Sequence, residues 1–78
     1  TEFIFSARLE TDYINNKYRL KLPILDNVET ISGLIMNYHE SIPRVNEEIH
    51  IENYIFTILS VTRTRIETVN LKTENAEG

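Results

Sequence analysis

Two histidines and a group of carboxylates are the side chains here whose types could do chemistry. His39 and Glu40 close one amphipathic stretch, and Glu47, Glu48, His50 and Glu52 gather at the start of the next. Imidazole beside carboxylates suggests a divalent-cation site, and carboxylates alone suit magnesium. The spacing argues otherwise. Adjacent residues on a strand point to opposite faces, so Glu47 and Glu48 cannot aim together at one ion. A solvated charged face explains them better, and no metal ligand is assigned. Gly33 could mark a phosphate cradle, but no second or third glycine accompanies it. Its pattern places it inside a helix, away from the N-terminus where anions bind. Close packing of the helix against the sheet accounts for it more simply. Serine, threonine and aspartate occur without a G-x-S-x-G, an H-E-x-x-H or a Ser/His/Asp signature. No catalytic and no cofactor-binding residue is assigned.

The elements that must position these residues belong to one small domain. The chain has 78 residues, 41% of them hydrophobic, which supports one thin core and argues against disorder. Eight basic residues are scattered among twelve acidic ones, for a net charge of −4. That disfavours nucleic acid and gives no reason for direct contact with an anionic membrane. With no cysteine, a disulfide framework, a zinc knuckle and a thiol nucleophile are all absent. No apolar run reaches the roughly 18–20 residues that span a bilayer, so this fragment is not expected to insert. The chain begins at Thr1 and is read as a piece of a longer protein.

Alternation over Phe3–Leu9 predicts a strand with Phe3, Phe5, Ala7 and Leu9 inward. Thr11 or Asp12 should cap a short helix, about Asp12 to Tyr18, burying Tyr13, Ile14 and Tyr18 and turning Asn15, Asn16 and Lys17 to water. Leu20–Pro23 reads as an extended connector. The stretch Thr30–Arg44 is the centre of the pattern. Ile31, Leu34, Ile35 and Tyr38 fall on one helical face, and Pro43 ends it. Its start lies between Asp26, which with Glu29 imitates a capping box, and Thr30. Three strands follow. Glu47–Glu52 has Ile49 and Ile51 inward, with Asn53 at a tight hairpin. Tyr54–Val61 is apolar on both faces and so should be central or meet a second surface. Arg65–Leu71 should carry a bulge or a twist between Ile66 and Val69. The expected fold is α+β: strand, helix, helix and a three-strand meander, both helices on one face of an antiparallel sheet. Each tyrosine is expected to pack its ring in the core and leave its hydroxyl wet.

The order and spacing of several short runs resemble the CorC/HlyC domain, also called the transporter-associated domain. The matched positions are Thr30, Gly33 and Leu34, then Ile42, Pro43 and Glu47, then Tyr54, Phe56 and Ile58, and finally Arg65 and Ile66. Ala7-Arg8-Leu9 and Leu20-x-Leu22-Pro23 match further upstream. The resemblance covers about residues 3–72, leaving 73–78 as a frayed tail. Asn46 stands where the family usually has glycine, and asparagine tolerates the left-handed backbone that such a position needs. Of these positions, Thr30, Gly33, Leu34, Ile42, Pro43, Phe56 and Ile66 are taken as structural.

What the resemblance implies is a context. Such domains look like cytoplasmic-side appendages of membrane proteins that carry a CBS-domain pair and are linked to magnesium or cobalt efflux or to hemolysins. The expected role is therefore non-catalytic: regulation or interaction within a divalent-cation transporter. The CBS pair of the same parent chain is the expected partner, with a homodimer as a further option. The alternative is a small module that senses a metal ion or a nucleotide. An enzymatic role has no support in the residues.

Overall fold

The computed structural model describes residues 2–73. Six elements run in the order β1 (Glu2–Ser6), α1 (Thr11–Tyr18), α2 (Ile31–His39), β2 (Glu48–Ile51), β3 (Tyr54–Val61) and β4 (Ile66–Thr73). The four strands form one antiparallel sheet in the order β1-β4-β3-β2. The expected α+β architecture is thus observed, with β1 added beside β4 at the far edge of the meander. β4 extends through Thr73, which pairs with Tyr54. The rest of the expected tail, residues 74–78, lies outside the described residues.

The core follows the alternation of the strands. Phe5, Ile49, Ile51, Tyr54, Phe56, Ile58, Val69 and Leu71 point inward and meet Ile14, Ile31, Leu34 and Ile35 from the helices. Ile55 and Leu59 remain half-buried on the opposite side of β3, while Val61, past the register shifts and paired with Ile66, packs against the core. Two register shifts flank Ser60, leaving Leu59 on β3 and Glu67 on β4 without a direct partner. The second falls where the Ile66–Val69 spacing predicts a bulge or a twist. The first does not show in a run that is apolar throughout.

Several local expectations are corrected. β1 ends at Ser6 and does not reach Leu9, because the Ser6 hydroxyl accepts the Arg8 N–H at 3.1 Å and turns the chain. Ala7 nevertheless stays buried, its N–H donated to the Glu67 carbonyl at 2.8 Å. The N-cap of α1 is Glu10, without a side-chain cap, and Thr11 is buried in the first turn. Tyr13 is exposed, its ring lying 5.8 Å from the Lys17 ammonium. Asn15 turns inward: its amide donates to the Leu22 carbonyl at 3.0 Å and its oxygen accepts the Leu22 N–H at 2.8 Å. The Tyr54 ring is buried as expected, but its hydroxyl is not wet. It accepts the Lys21 N–H at 2.8 Å.

The start of α2 is settled in favour of Thr30. Residues Leu25–Val28 form a tight turn with Asn27 at a φ of 66°, so the Asp26–Glu29 capping box does not form. Thr30 Oγ1 accepts the Gly33 N–H at 3.1 Å. Replacing Thr30 with alanine should cost about 1 kcal/mol, lowering the melting temperature by roughly 4–8 °C, whereas Thr30→Ser should lose little. Thermal denaturation followed by circular dichroism checks this. Gly33 therefore sits in the first turn of α2, not in its middle. A Cβ there would approach Val28 Cγ1 at 3.3 Å and Thr30 Oγ1 at 3.4 Å. The close neighbour is the preceding turn, not the sheet.

Candidate functional site

Two places gather polar side chains, the first from distant parts of the chain and the second from one short stretch. The first is an open groove of about 500 Å³ where three segments meet. The β1–α1 turn supplies Arg8, the first turns of α2 supply Thr30, Ser32, Gly33 and Met36, and the β3–β4 turn supplies Thr64 and Arg65. The segments are tied at Ser32, which is buried. Its N–H donates to the Ala7 carbonyl at 2.8 Å, and its hydroxyl accepts the Ile66 N–H at 3.3 Å. The β3–β4 turn is closed by Thr62, whose N–H donates to the Arg65 carbonyl at 2.8 Å. Thr62 Oγ1 accepts the Arg65 N–H at 3.2 Å.

The α2 N-terminus in this groove is not a phosphate cradle. An anion site at a helix start needs free backbone donors. Here the Ile31 N–H goes to the Leu9 carbonyl at 3.0 Å, that of Ser32 to Ala7, and that of Gly33 to Thr30. The groove's free donors are side chains, chiefly the guanidinium groups of Arg8 and Arg65.

The second place is a clasp between the end of α2 and the start of β2. Glu40, at a φ of 71°, ends the helix in a left-handed cap. Pro43 is buried and Ile42 half-buried, which folds the chain back toward β2. Asn46 adopts the left-handed backbone, with φ 73°, that its replacement of glycine predicts. His39 Nε2 then lies 2.7 Å from Glu47 Oε2, and Nδ1 lies 3.0 Å from the Ser41 carbonyl. Both ring nitrogens face oxygen acceptors, and only the imidazolium can donate to both. Consistently, the His39 pKa is raised above its ordinary 6.5, first by the Glu47 hydrogen bond and then by the Ser41 carbonyl. The Glu47 carboxyl is held below its ordinary 4.5, first by the Arg44 backbone N–H and then by His39. The Arg44 N–H reaches Glu47 Oε1 at 2.9 Å.

These shifts fix a pH window. The His39 contribution is complete below 6.5 and is lost as pH rises through the raised folded value. The Glu47 contribution is complete above 4.5 and is lost as pH falls through the lowered folded value. The clasp should therefore stabilise most between these two values. Both side chains are partly exposed, so the effect is small and screened by salt. Melting temperature measured against pH checks it. His39→Gln should flatten the alkaline limb, and an unchanged limb would refute the clasp.

The remaining carboxylates do not converge. Glu48 and His50 lie 3.8 Å apart on the open sheet face, away from Glu47. Glu52 is exposed in the β2–β3 turn at a φ of 55°, so the left-handed position of that hairpin is Glu52, not Asn53. A depression of about 370 Å³ is bordered by Glu10, Asp12, Asp26 and Glu29, with buried Thr11 at its wall. Among the described residues no three His, Asp or Glu side chains are placed to hold a metal ion. Of the positions taken as structural, Leu34, Phe56 and Ile66 are fully buried. Thr30 and Gly33 line the groove, and Ile42 and Pro43 form the loop that the clasp closes. Sequence reasoning missed the pairing of His39 with Glu47 and that of Asn15 with Leu22. The first showed only as separate charges, because the Pro43 turn that pairs them sets a path that the charges do not reveal. The second had no signal.

Comparison with known proteins agrees with this geometry. The family model of the CorC/HlyC transporter-associated domain matches residues 1–75. A protein named Hemolysin C from Brachyspira hyodysenteriae is 34% identical over 79 aligned residues, covering 94% of this chain. The chain spans only 28% of that relative's length. Three solved structures share the fold. A region described as associated with an Mg²⁺ and Co²⁺ transporter (CorC) from Neisseria meningitidis MC58 superposes with a TM-score of 0.82 at 21% identity, over 92% of this chain and 88% of that one. A CorC/HlyC domain of a Xylella fastidiosa Temecula1 hemolysin, solved in complex with Mg²⁺ and Mn²⁺, gives 0.79 at 20% identity, over 95% and 89%. The transporter-associated domain of a CBS domain protein from Porphyromonas gingivalis gives 0.79 at 18%, over 92% and 87%. At these identities the structures speak to the fold alone, whereas the family match covers nearly the whole sequence. The chain belongs to the CorC/HlyC transporter-associated domain family.

Proposed function

We propose that this chain is a non-catalytic regulatory or interaction domain of a membrane divalent-cation transporter or hemolysin-related protein. In this reading it sits on the cytoplasmic side and docks against a CBS-domain pair of the same parent chain. The observation that carries the reading is the family match over residues 1–75. The Neisseria and Porphyromonas relatives, described with a Mg²⁺ and Co²⁺ transporter and with a CBS domain protein, support its context. No helix among the described residues is long and apolar enough to cross a membrane.

The clasp bears on the non-catalytic element of this reading. Ser41 Oγ lies 3.3 Å from His39 Nδ1, so Ser41, His39 and Glu47 form a chain that superficially suggests a nucleophile, a base and an orienting acid. Where His39 is protonated and donates to both Glu47 and the Ser41 carbonyl, it has no lone pair with which to act as a base. The chain also lies at the C-terminal end of α2, whose dipole opposes an oxyanion.

A ligand-sensing role is the second reading, favoured by the Xylella domain solved with Mg²⁺ and Mn²⁺. Titration calorimetry of the 78-residue chain with magnesium, cobalt, AMP and ATP separates the two. The regulatory reading expects no saturable heat. Saturable micromolar binding of any of them would replace it with the sensing role.

A further inference from the structure

The geometry points to the Arg8–Arg65 groove as a binding site for an acidic peptide segment, with each guanidinium pairing a carboxylate of the partner. The chain carries a net charge of −4, yet no acidic residue lines this groove. Arg63, exposed in the same turn, adds to the local positive charge. Among the described residues neither the Arg8 nor the Arg65 guanidinium has an ion pair or a hydrogen bond. They come from positions 8 and 65 and are brought to one groove by Ser32, whose two backbone bonds go to Ala7 and Ile66, the residues beside them. The spacing of the two arginines is therefore built into the fold before any partner arrives, which lowers the ordering cost of binding.

Carboxylates fit the available donors better than a compact phosphate does. The backbone N–H groups of the α2 start are already engaged, so no nest remains to surround a tetrahedral anion. What remains are two planar forks, which match carboxylates two bonds at a time. The groove is open and extended, and Met36 gives it an adaptable apolar wall beside the charges. Ser32 is a positioning residue here. The inference gives the proposed interaction role a surface and a partner chemistry. It rests on that role only for where the segment comes from, so its failure would leave the transporter reading standing.

Calorimetry or amide-shift mapping of the 78-residue chain with an oligoglutamate peptide tests it, with inorganic phosphate as a second arm. Saturable, salt-sensitive binding that shifts Ser32, Gly33 and Thr64 is expected. Arg8→Gln and Arg65→Gln should each weaken it by roughly fivefold, and the double variant by more. Arg44→Gln, outside the groove, should leave it unchanged. All three sites are exposed, so the variants should fold, and circular dichroism confirms that. No saturable binding, or binding equally reduced by Arg44→Gln, overturns the proposal. Phosphate bound at the same arginines as tightly as the peptide overturns the peptide assignment.

Discussion

Phe56→Ala should unfold this domain or bring it to the edge of unfolding. Phe56 is fully buried at the middle of the central strand β3, paired with Ile49 on one side and Leu71 on the other. Truncating a buried phenylalanine costs about 3–5 kcal/mol, from lost transfer energy and the cavity left behind. Small domains have about 5–15 kcal/mol in total, and a chain of this size lies toward the lower end. The melting temperature should fall by roughly 12–40 °C. Ile4→Ala is the control. Ile4 is 67% exposed on the open face of β1, so its loss should change stability by no more than about 0.5 kcal/mol. Equal effects of the two substitutions in a thermal melt would mean that the inward and outward faces of the sheet are wrongly assigned.

Asn15→Leu should be nearly as damaging, although no apolar contact is lost. The Asn15 side chain satisfies both backbone groups of Leu22, whose own side chain is buried. Leucine would leave a donor and an acceptor unpaired at the edge of the core, at about 1–3 kcal/mol each. Partial access of water lowers the sum to about 2–4 kcal/mol. Asn16→Ala, one position along and exposed, should be nearly silent. Hydrogen exchange gives the local readout. The Leu22 amide, protected in the native chain, should exchange faster in Asn15→Leu even under conditions where the fold persists.

These two sites show what the sequence reveals and what it conceals. The inward phase of Phe56 is legible because strand periodicity repeats over neighbours, and the same holds for Ile31, Leu34 and Ile35 on α2. Asn15 is illegible because one polar residue in a short helix carries no periodicity. Its partner, Leu22, is fixed by the path of the connector. The start of α2 was ambiguous for a related reason. Asp26 and Thr30 both offer caps, and the tight turn at Leu25–Val28 decides between them. Family resemblance located Arg8, Gly33 and Arg65 separately, but their convergence needs three segments folded around Ser32. The His39–Glu47 clasp likewise depends on the Pro43 turn, so its residues were visible as charges and invisible as a pair.

The central proposal is that this domain works by presenting surfaces within a cation transporter, without chemistry of its own. The measurement that tests it most directly is divalent-cation efflux by the full-length parent carrying Phe56→Ala, compared with the parent itself at equal membrane abundance. The proposal predicts an altered efflux rate or an altered dependence on cation concentration, with insertion in the membrane intact. Efflux unchanged in rate and in concentration dependence, with the domain demonstrably unfolded, would contradict it.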